Sequence, residues 1–204
     1  MTARASRPAG PPPTDATLRD AGLAYLARYA ATEAALTRAL GRVVDRWARR
    51  AMANGAITGS AEADAVAAEA AQARALVRGV VTRLATAGAV SDSAFAESRT
   101  RSLVRGGRSR RAVAAHLAAK GVGTDTARAA LEAEETDELT AALVLARRRR
   151  IGPFRVGEGD ARDGERLREL AVMARAGFSQ AVASEALRMP REAADEAVMR
   201  LRRG

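Results

Sequence analysis

Alanine fills about a quarter of this 204-residue chain, and that abundance bounds the folds open to it. Alanine is the strongest helix former, yet it brings little side-chain area to a core. Burial is worth about 25 cal/mol per Å², so a core lined by alanine is thin. Leucine, arginine and glutamate also favour helix. Aromatic residues make up only 3% of the chain, and residues that favour strands are few. The expected fold class is all-α. A thin core disfavours one large globule and favours small helical units packed in series.

The rest of the composition excludes whole classes of chemistry. The chain has no cysteine, so a disulfide framework, a thiolate zinc site and a cysteine nucleophile are ruled out. That absence also suits a reducing cytosol. A single histidine, His116, cannot make a histidine-rich metal site. No uncharged apolar run approaches the roughly 18 residues of a membrane span. The amino terminus lacks the apolar stretch of a secretory signal. A cytoplasmic protein with no membrane partner, no metal and no cofactor is expected. Lys and Arg total 34 against 24 Asp and Glu, a net charge of +10, and Lys120 is the only lysine.

Punctuation divides the chain. Residues 1–14 hold four of the six prolines and read as a disordered tail. Helical spacing begins at Asp15 with Leu18, Gly22, Tyr25, Leu26 and Tyr29. Thr32-Glu33 caps a second helix. Its apolar stripe is Leu36, Leu40, Val43, Trp47 and Ala51, with Arg38, Arg42, Arg46 and Arg49 opposite. That helix is expected to end near Asn54-Gly55. Ser60 then caps a long alanine-rich helix that Gly88 stops. Ser91-Asp92 opens the next helix, which Gly106-Gly107 breaks. Another helix runs from Ser109 to Lys120 and ends at Gly121. Thr124 or Asp125 caps a short helix, and Thr136 starts one that reaches Arg150. A glycine-rich loop is expected over 151–164. A helix from Glu165 to Ala176 stops at Gly177, and Ser179 caps one through Leu187. Beyond Pro190 lies a polar helix.

An internal repeat is visible. HLAAKGVGTDTARAAL (116–131) and VMARAGFSQAVASEAL (172–187) share a helix ending in glycine, an apolar residue, a cap, and a short helix ending Ala-Leu. Gly121 to Leu131 and Gly177 to Leu187 are both ten residues apart. Leu117 matches Met173, and Val122 matches Phe178. Chance likeness among alanine-rich segments competes with this reading, but the shared order is positional. The expected units are three-helix repeats at 15–88 (with extended helices), 91–133 and 136–190, with a C-terminal helix at 191–204. Each unit needs a neighbour to cover its apolar face, which gives an elongated, curved array.

Arginine is clustered. Residues 98–124 contain no acid and hold Arg99, Arg101, Arg105, Arg108, Arg110, Arg111 and Lys120. A second cluster is Arg147, Arg148, Arg149 and Arg150, with Arg155 nearby. The third is the arginine face of 38–49. Any one run could be a solvated helix face, but three runs and the net charge favour binding to a polyanion. Arginine also forks onto carboxylates, so an acidic protein surface is an equal target. Glu132, Glu134, Glu135, Asp137 and Glu138 form an acidic counterpart that could pair with a neighbouring repeat. The basic runs lack interleaved aromatics, so a stacking platform for single strands is not indicated. Arg105-Gly106-Gly107-Arg108 is more simply a turn than an RGG element. Gly121-Val122-Gly123 follows no strand and is no phosphate loop. His116 reads as packed or interfacial. The scattered acids sit among arginines as ion pairs, and no serine occupies a nucleophile elbow. No enzyme is expected.

The segment SDSAFAESRTRSLVRGGRSRRAVAAHLAAKGV (91–122) resembles the central repeat of the regulatory protein RecX family. The matching positions are Asp92, Phe95-Ala96, Arg101, Gly107, Val113, Leu117 and Lys120-Gly121-Val122. Arg175-Ala176-Gly177-Phe178 resembles the family's Arg-x-Gly-Phe in the third repeat. The sequence departs from the family at Arg99, where relatives often carry an aromatic. It departs again at Gly107-Arg108-Ser109-Arg110, where a Gly-x-Gly-Pro turn is usual. The resemblance implies a regulator of the RecA recombinase with a part in DNA repair, and a monomer is expected. Such a protein binds the RecA filament, in its groove and across protomers, and lowers its ATPase, strand-exchange and coprotease activities. DNA within the filament is a second candidate contact. The arginines of 99–111 and 147–150, with Lys120, would be the contact residues. The alternative is a direct DNA-binding protein, sequence-nonspecific or like a helix-turn-helix.

Overall fold

Glycine stops and side-chain caps cut the helix-prone chain into short pieces. The computed structural model describes residues 10–53, 60–156 and 163–203. Among them are ten α-helices and no strand, so the all-helical expectation holds. The helices are α1 (Asp15–Leu26), α2 (Glu33–Ala53), α3 (Ser60–Thr86), α4 (Asp92–Arg105) and α5 (Arg110–Lys120), then α6 (Thr124–Glu132), α7 (Glu138–Arg149), α8 (Asp163–Arg175), α9 (Gln180–Arg188) and α10 (Arg191–Arg203). They fall into two units, Met1–Asp92 and Ser93–Gly204.

In the first unit, α1, α2 and α3 pack on one another. Leu18, Leu36, Leu40, Val44, Trp47, Val77, Val80, Val81 and Leu84 form the core. The stripe on α2 faces inward as its spacing predicts, with Val44 more deeply buried than Val43. Arg38, Arg42, Arg46 and Arg49 are exposed. Thr32 Oγ1 accepts the Ala35 N–H at 3.0 Å and caps α2. Ser60 is the first residue of α3, while Asn54-Gly55 lies outside the described residues. Residues 1–9 of the expected tail also lie outside them, but residues 10–14 are ordered against the unit. The Trp47 indole N–H donates to the Gly10 carbonyl at 3.2 Å. Thr14 makes a capping box with Thr17 at the start of α1. The bond to Gly10 gives the buried indole N–H an acceptor.

In the second unit, α7 is the central element, in contact with α9, α10 and the 3-10 helix Gly152–Phe154. Ala141, Ala142, Leu143, Leu145 and Ala146 are all buried, more than one face of a helix. Burial nearly all round marks an interior helix. Val104, Val113, Leu117, Met173, Phe178, Ala186, Ala194 and Val198 belong to the same core. The C-terminal helix expected to be polar thus buries an apolar edge, Ala194 and Val198. The expected glycine-rich loop also contains structure, because Phe154 is buried at its start. Ser179 caps α9 as expected, and Ser109, expected as the first residue of its helix, is the N-cap of α5. The residue capping α6 is Gly123, with Thr124 already helical. Asp137 caps α7 through the Thr140 N–H, so that helix begins at Glu138 and not at Thr136.

Gly107 closes α4 at φ +81°. A Cβ there would lie 2.8 Å from the Leu145 nitrogen and 3.2 Å from the Ala141 carbonyl oxygen of α7. Gly88 ends α3 at a similar φ of +72° in open space. Gly107→Ala is therefore expected to combine backbone strain with a steric clash and to cost upwards of about 3 kcal/mol, against about 1 kcal/mol for Gly88→Ala. Urea denaturation of the two variants tests this, and equal losses would contradict the close packing of the α4–α5 turn on α7.

Candidate functional site

Arginines from two segments of the second unit meet at the α4–α5 turn. The Gly107 N–H donates to Val104 O at 2.8 Å and the Arg108 N–H to Leu103 O at 3.0 Å, which satisfies the last carbonyls of α4. The Gly106 carbonyl accepts from Arg148 Nη1 at 2.8 Å, so the end of α7 is tied to the turn. Arg105, Arg147 and Arg148 border one cleft of about 490 Å³ there. Two arginine clusters that are far apart in sequence thus form one surface.

Not every candidate arginine belongs to that surface. Arg99, Arg101, Arg105, Arg108, Arg111, Lys120, Arg148, Arg149 and Arg150 are exposed. Arg150 is the C-cap of α7, in the left-handed region at φ +54°. Arg147 is half-buried, and its Nη1 is cut off from solvent without a hydrogen-bond partner. Arg110 turns inward. Its guanidinium donates to the carbonyls of Leu131 and Glu134, the latter at 3.1 Å, and so holds the chain at the end of α6. Arg155 is also internal: it grips both carboxylate oxygens of Glu169 at 2.7 and 2.8 Å. Glu169 is only 7% exposed and accepts the Gly152 N–H as well. The sequence carried no local signal for either arrangement, because each partner lies more than a helical turn or two away.

The acidic stretch is likewise used at helix ends. Asp137 caps α7, Glu134 accepts the Thr136 N–H at 3.1 Å, and Glu138 accepts the Arg110 N–H at 3.2 Å. The last of these places a carboxylate at the positive end of α5. The motif positions are structural in kind. Asp92 Oδ1 accepts the Glu33 N–H at 2.8 Å. Phe95 packs on the core, and Leu117 and Phe178 lie within it. Gly121 is the left-handed C-cap of α5. Gly177 follows α8, and a Cβ there would fall 2.6 Å from Ser109 Oγ. No group of three or more potential metal ligands occurs among the described residues, and none of their helices is long and apolar enough to cross a membrane.

His116 stands in a cationic group. Arg99 Nε donates to His116 Nε2 at 3.2 Å, which requires the ring nitrogen to be unprotonated. Burial lowers the imidazole pKa, and Arg99, Lys120 and Arg108 lower it further by repulsion. The unfolded chain therefore takes up this proton at higher pH than the folded one. Stability from the neutral ring is complete above the ordinary histidine pKa and falls as pH drops below it. Comparing urea midpoints at about pH 7.5 and about pH 5 should show a larger acid loss in the wild type than in His116→Gln. Identical pH dependence would contradict this titration. Arg110→Ala is expected to destabilise by about 1–3 kcal/mol, because carbonyls at the end of α6 lose a charged donor. Arg101→Ala should stay within about 0.5 kcal/mol. Thermal denaturation separates the two, and equal effects would remove the distinction between inward and outward arginines.

The sequence is similar to that of known proteins. The family model described as "RecX, second three-helix domain" matches residues 91–131, which hold α4, α5 and α6. The chain is 37% identical over 172 residues to the "Regulatory protein RecX" of Myxococcus xanthus, covering 83% of each protein. It is 39% identical over 126 residues to the protein of that name from Agrobacterium fabrum, covering 62% of this chain and 66% of the relative. With the Mycobacterium ulcerans protein of the same name it shares 42% identity over 110 residues, 52% of this chain and 61% of the relative. The match to the Myxococcus protein runs far beyond the central three helices, and on that extent the chain belongs to the RecX family.

Proposed function

We propose that this protein regulates the RecA recombinase by binding the RecA nucleoprotein filament and inhibiting its ATPase, strand-exchange and coprotease activities. The relatives bear the name of a regulatory protein, and no catalytic constellation was found in the sequence. The observation that carries the reading is the meeting of exposed arginines from the α4–α5 turn and from the end of α7. Arg105, Arg108, Arg111, Arg148, Arg149 and Arg150 are the foremost contacts, with Arg99, Arg101 and Lys120 beside them on α4 and α5. Their forked donors suit carboxylates on an acidic protein groove and equally the phosphates of DNA within it. Three three-helix repeats, at 15–88, 91–133 and 136–190, would each contribute weak contacts whose sum is substantial. The protein would act as a cytoplasmic monomer.

Direct DNA binding is the second reading, and the Arg99, Arg108, His116 and Lys120 group favours it, since a phosphate there would relieve the mutual repulsion of the cations. The test is a titration of purified protein into a RecA–single-strand ATPase assay. Reversing Arg105, Arg108 and Arg111 to glutamate is expected to abolish inhibition with helicity intact by circular dichroism. Unchanged inhibition would overturn the site. A shift of naked duplex with a steep salt slope and no need for RecA would favour the DNA reading instead.

A further inference from the structure

The cleft at the α4–α5 turn combines two kinds of surface. Arg105, Arg147 and Arg148 supply cationic groups, and Val144, Val198 and Leu201 supply aliphatic ones. Among the described residues no acidic side chain lines it. Its volume of about 490 Å³ lies in the range of sites that take small organic groups. Arg148 is fixed by its bond to the Gly106 carbonyl. Arg147 Nη1 is shielded from water and bonded to nothing. That unpaired positive charge lies beside the cleft and adds to its attraction for an anion.

We propose that this cleft is a docking pocket for an acidic–apolar segment of a protein partner. A carboxylate of the segment is held by the exposed Arg105 beside the positive charge of Arg147, and an adjacent apolar side chain lies on Val144, Val198 and Leu201. The inference rests on the protein-partner reading above and specifies the chemistry of one contact. Charge complementarity selects the acid. The aliphatic surface selects peptide over nucleic acid, because it offers a phosphate nothing and lacks the aromatic rings on which bases stack. Val198 and Leu201 belong to α10, so the pocket depends on a helix outside the 91–131 family match.

The probe is a fluorescein-labelled peptide of alternating glutamate and leucine, titrated into the full chain and followed by anisotropy. Its counterpart has glutamine at every glutamate. The glutamate peptide should bind about tenfold more tightly, the ratio expected for a hydrogen bond to a charged group. Arg147→Met and Leu201→Glu should each remove about that factor with unchanged circular dichroism. Leu201→Glu sits at a half-exposed position and covers the case in which Arg147→Met disturbs folding. Equal affinity for both peptides, or wild-type affinity in Leu201→Glu, would overturn the pocket. So would displacement of the peptide by a single-stranded oligonucleotide of equal charge. Inhibition of RecA ATPase by the wild type is read separately. Its absence alongside the expected peptide pattern would overturn the RecA reading and leave the pocket standing.

Discussion

The second unit depends on side chains that satisfy the ends of helices other than their own. Ser109 is the clearest case. Its hydroxyl accepts the Ala112 N–H at 3.1 Å to cap α5 and donates to Ala176 O at 2.8 Å, at the end of α8. Arg110 does the same for the end of α6, Arg148 for the end of α4, and Glu138 for the start of α5. Every short helix exposes several unpaired backbone groups at each end, so a fold of many short helices carries many of them. Alanine-lined cores contribute little area to offset such losses. Caps shared between helices join segments distant in sequence and do what large apolar side chains do in a thicker core.

This division of labour explains why the charge is not uniformly available. Arg110 and Arg155 are committed to the interior, while Arg105, Arg108 and Arg111 reach solvent from the same neighbourhood. Gly107 allows the α4–α5 turn to lie against the α7 backbone, and that approach brings the arginines of α7 to the turn. The packing constraint and the candidate binding surface are therefore one feature. A side chain at Gly107 would alter both.

Helices, glycine stops and the cap at Ser179 were legible in the sequence because they are local. Their signals lie within one helical turn. The inward positions Val113 and Leu117 were legible for the same reason. The roles of Arg110 and Arg155 were not, because the chain spacing gives no hint of partners 21 and 14 residues away. The Ser109 bond to Ala176 spans 67 residues. The acidic stretch was readable as a charge run, but its use at helix N-termini depends on where the neighbouring helices lie. Phe154 read as part of a loop because glycines surround it, and only tertiary packing makes it a core residue. Of the candidate surface, the arginine clusters could be seen in advance, but their meeting across the α4–α5 turn could not.

Trp47 is the only tryptophan of the chain and lies in the first core, its indole bonded to the segment before α1. Intrinsic fluorescence is thus a reporter confined to one half of the molecule. It registers release of the strap at Gly10 and opening of the α1–α3 core, while unfolding of the second unit leaves no direct tryptophan signal. The molecule carries an optical label on the unit without the α4–α7 arginine surface. Backbone dichroism sees both units, so the two signals together distinguish one cooperative protein from two that melt in turn.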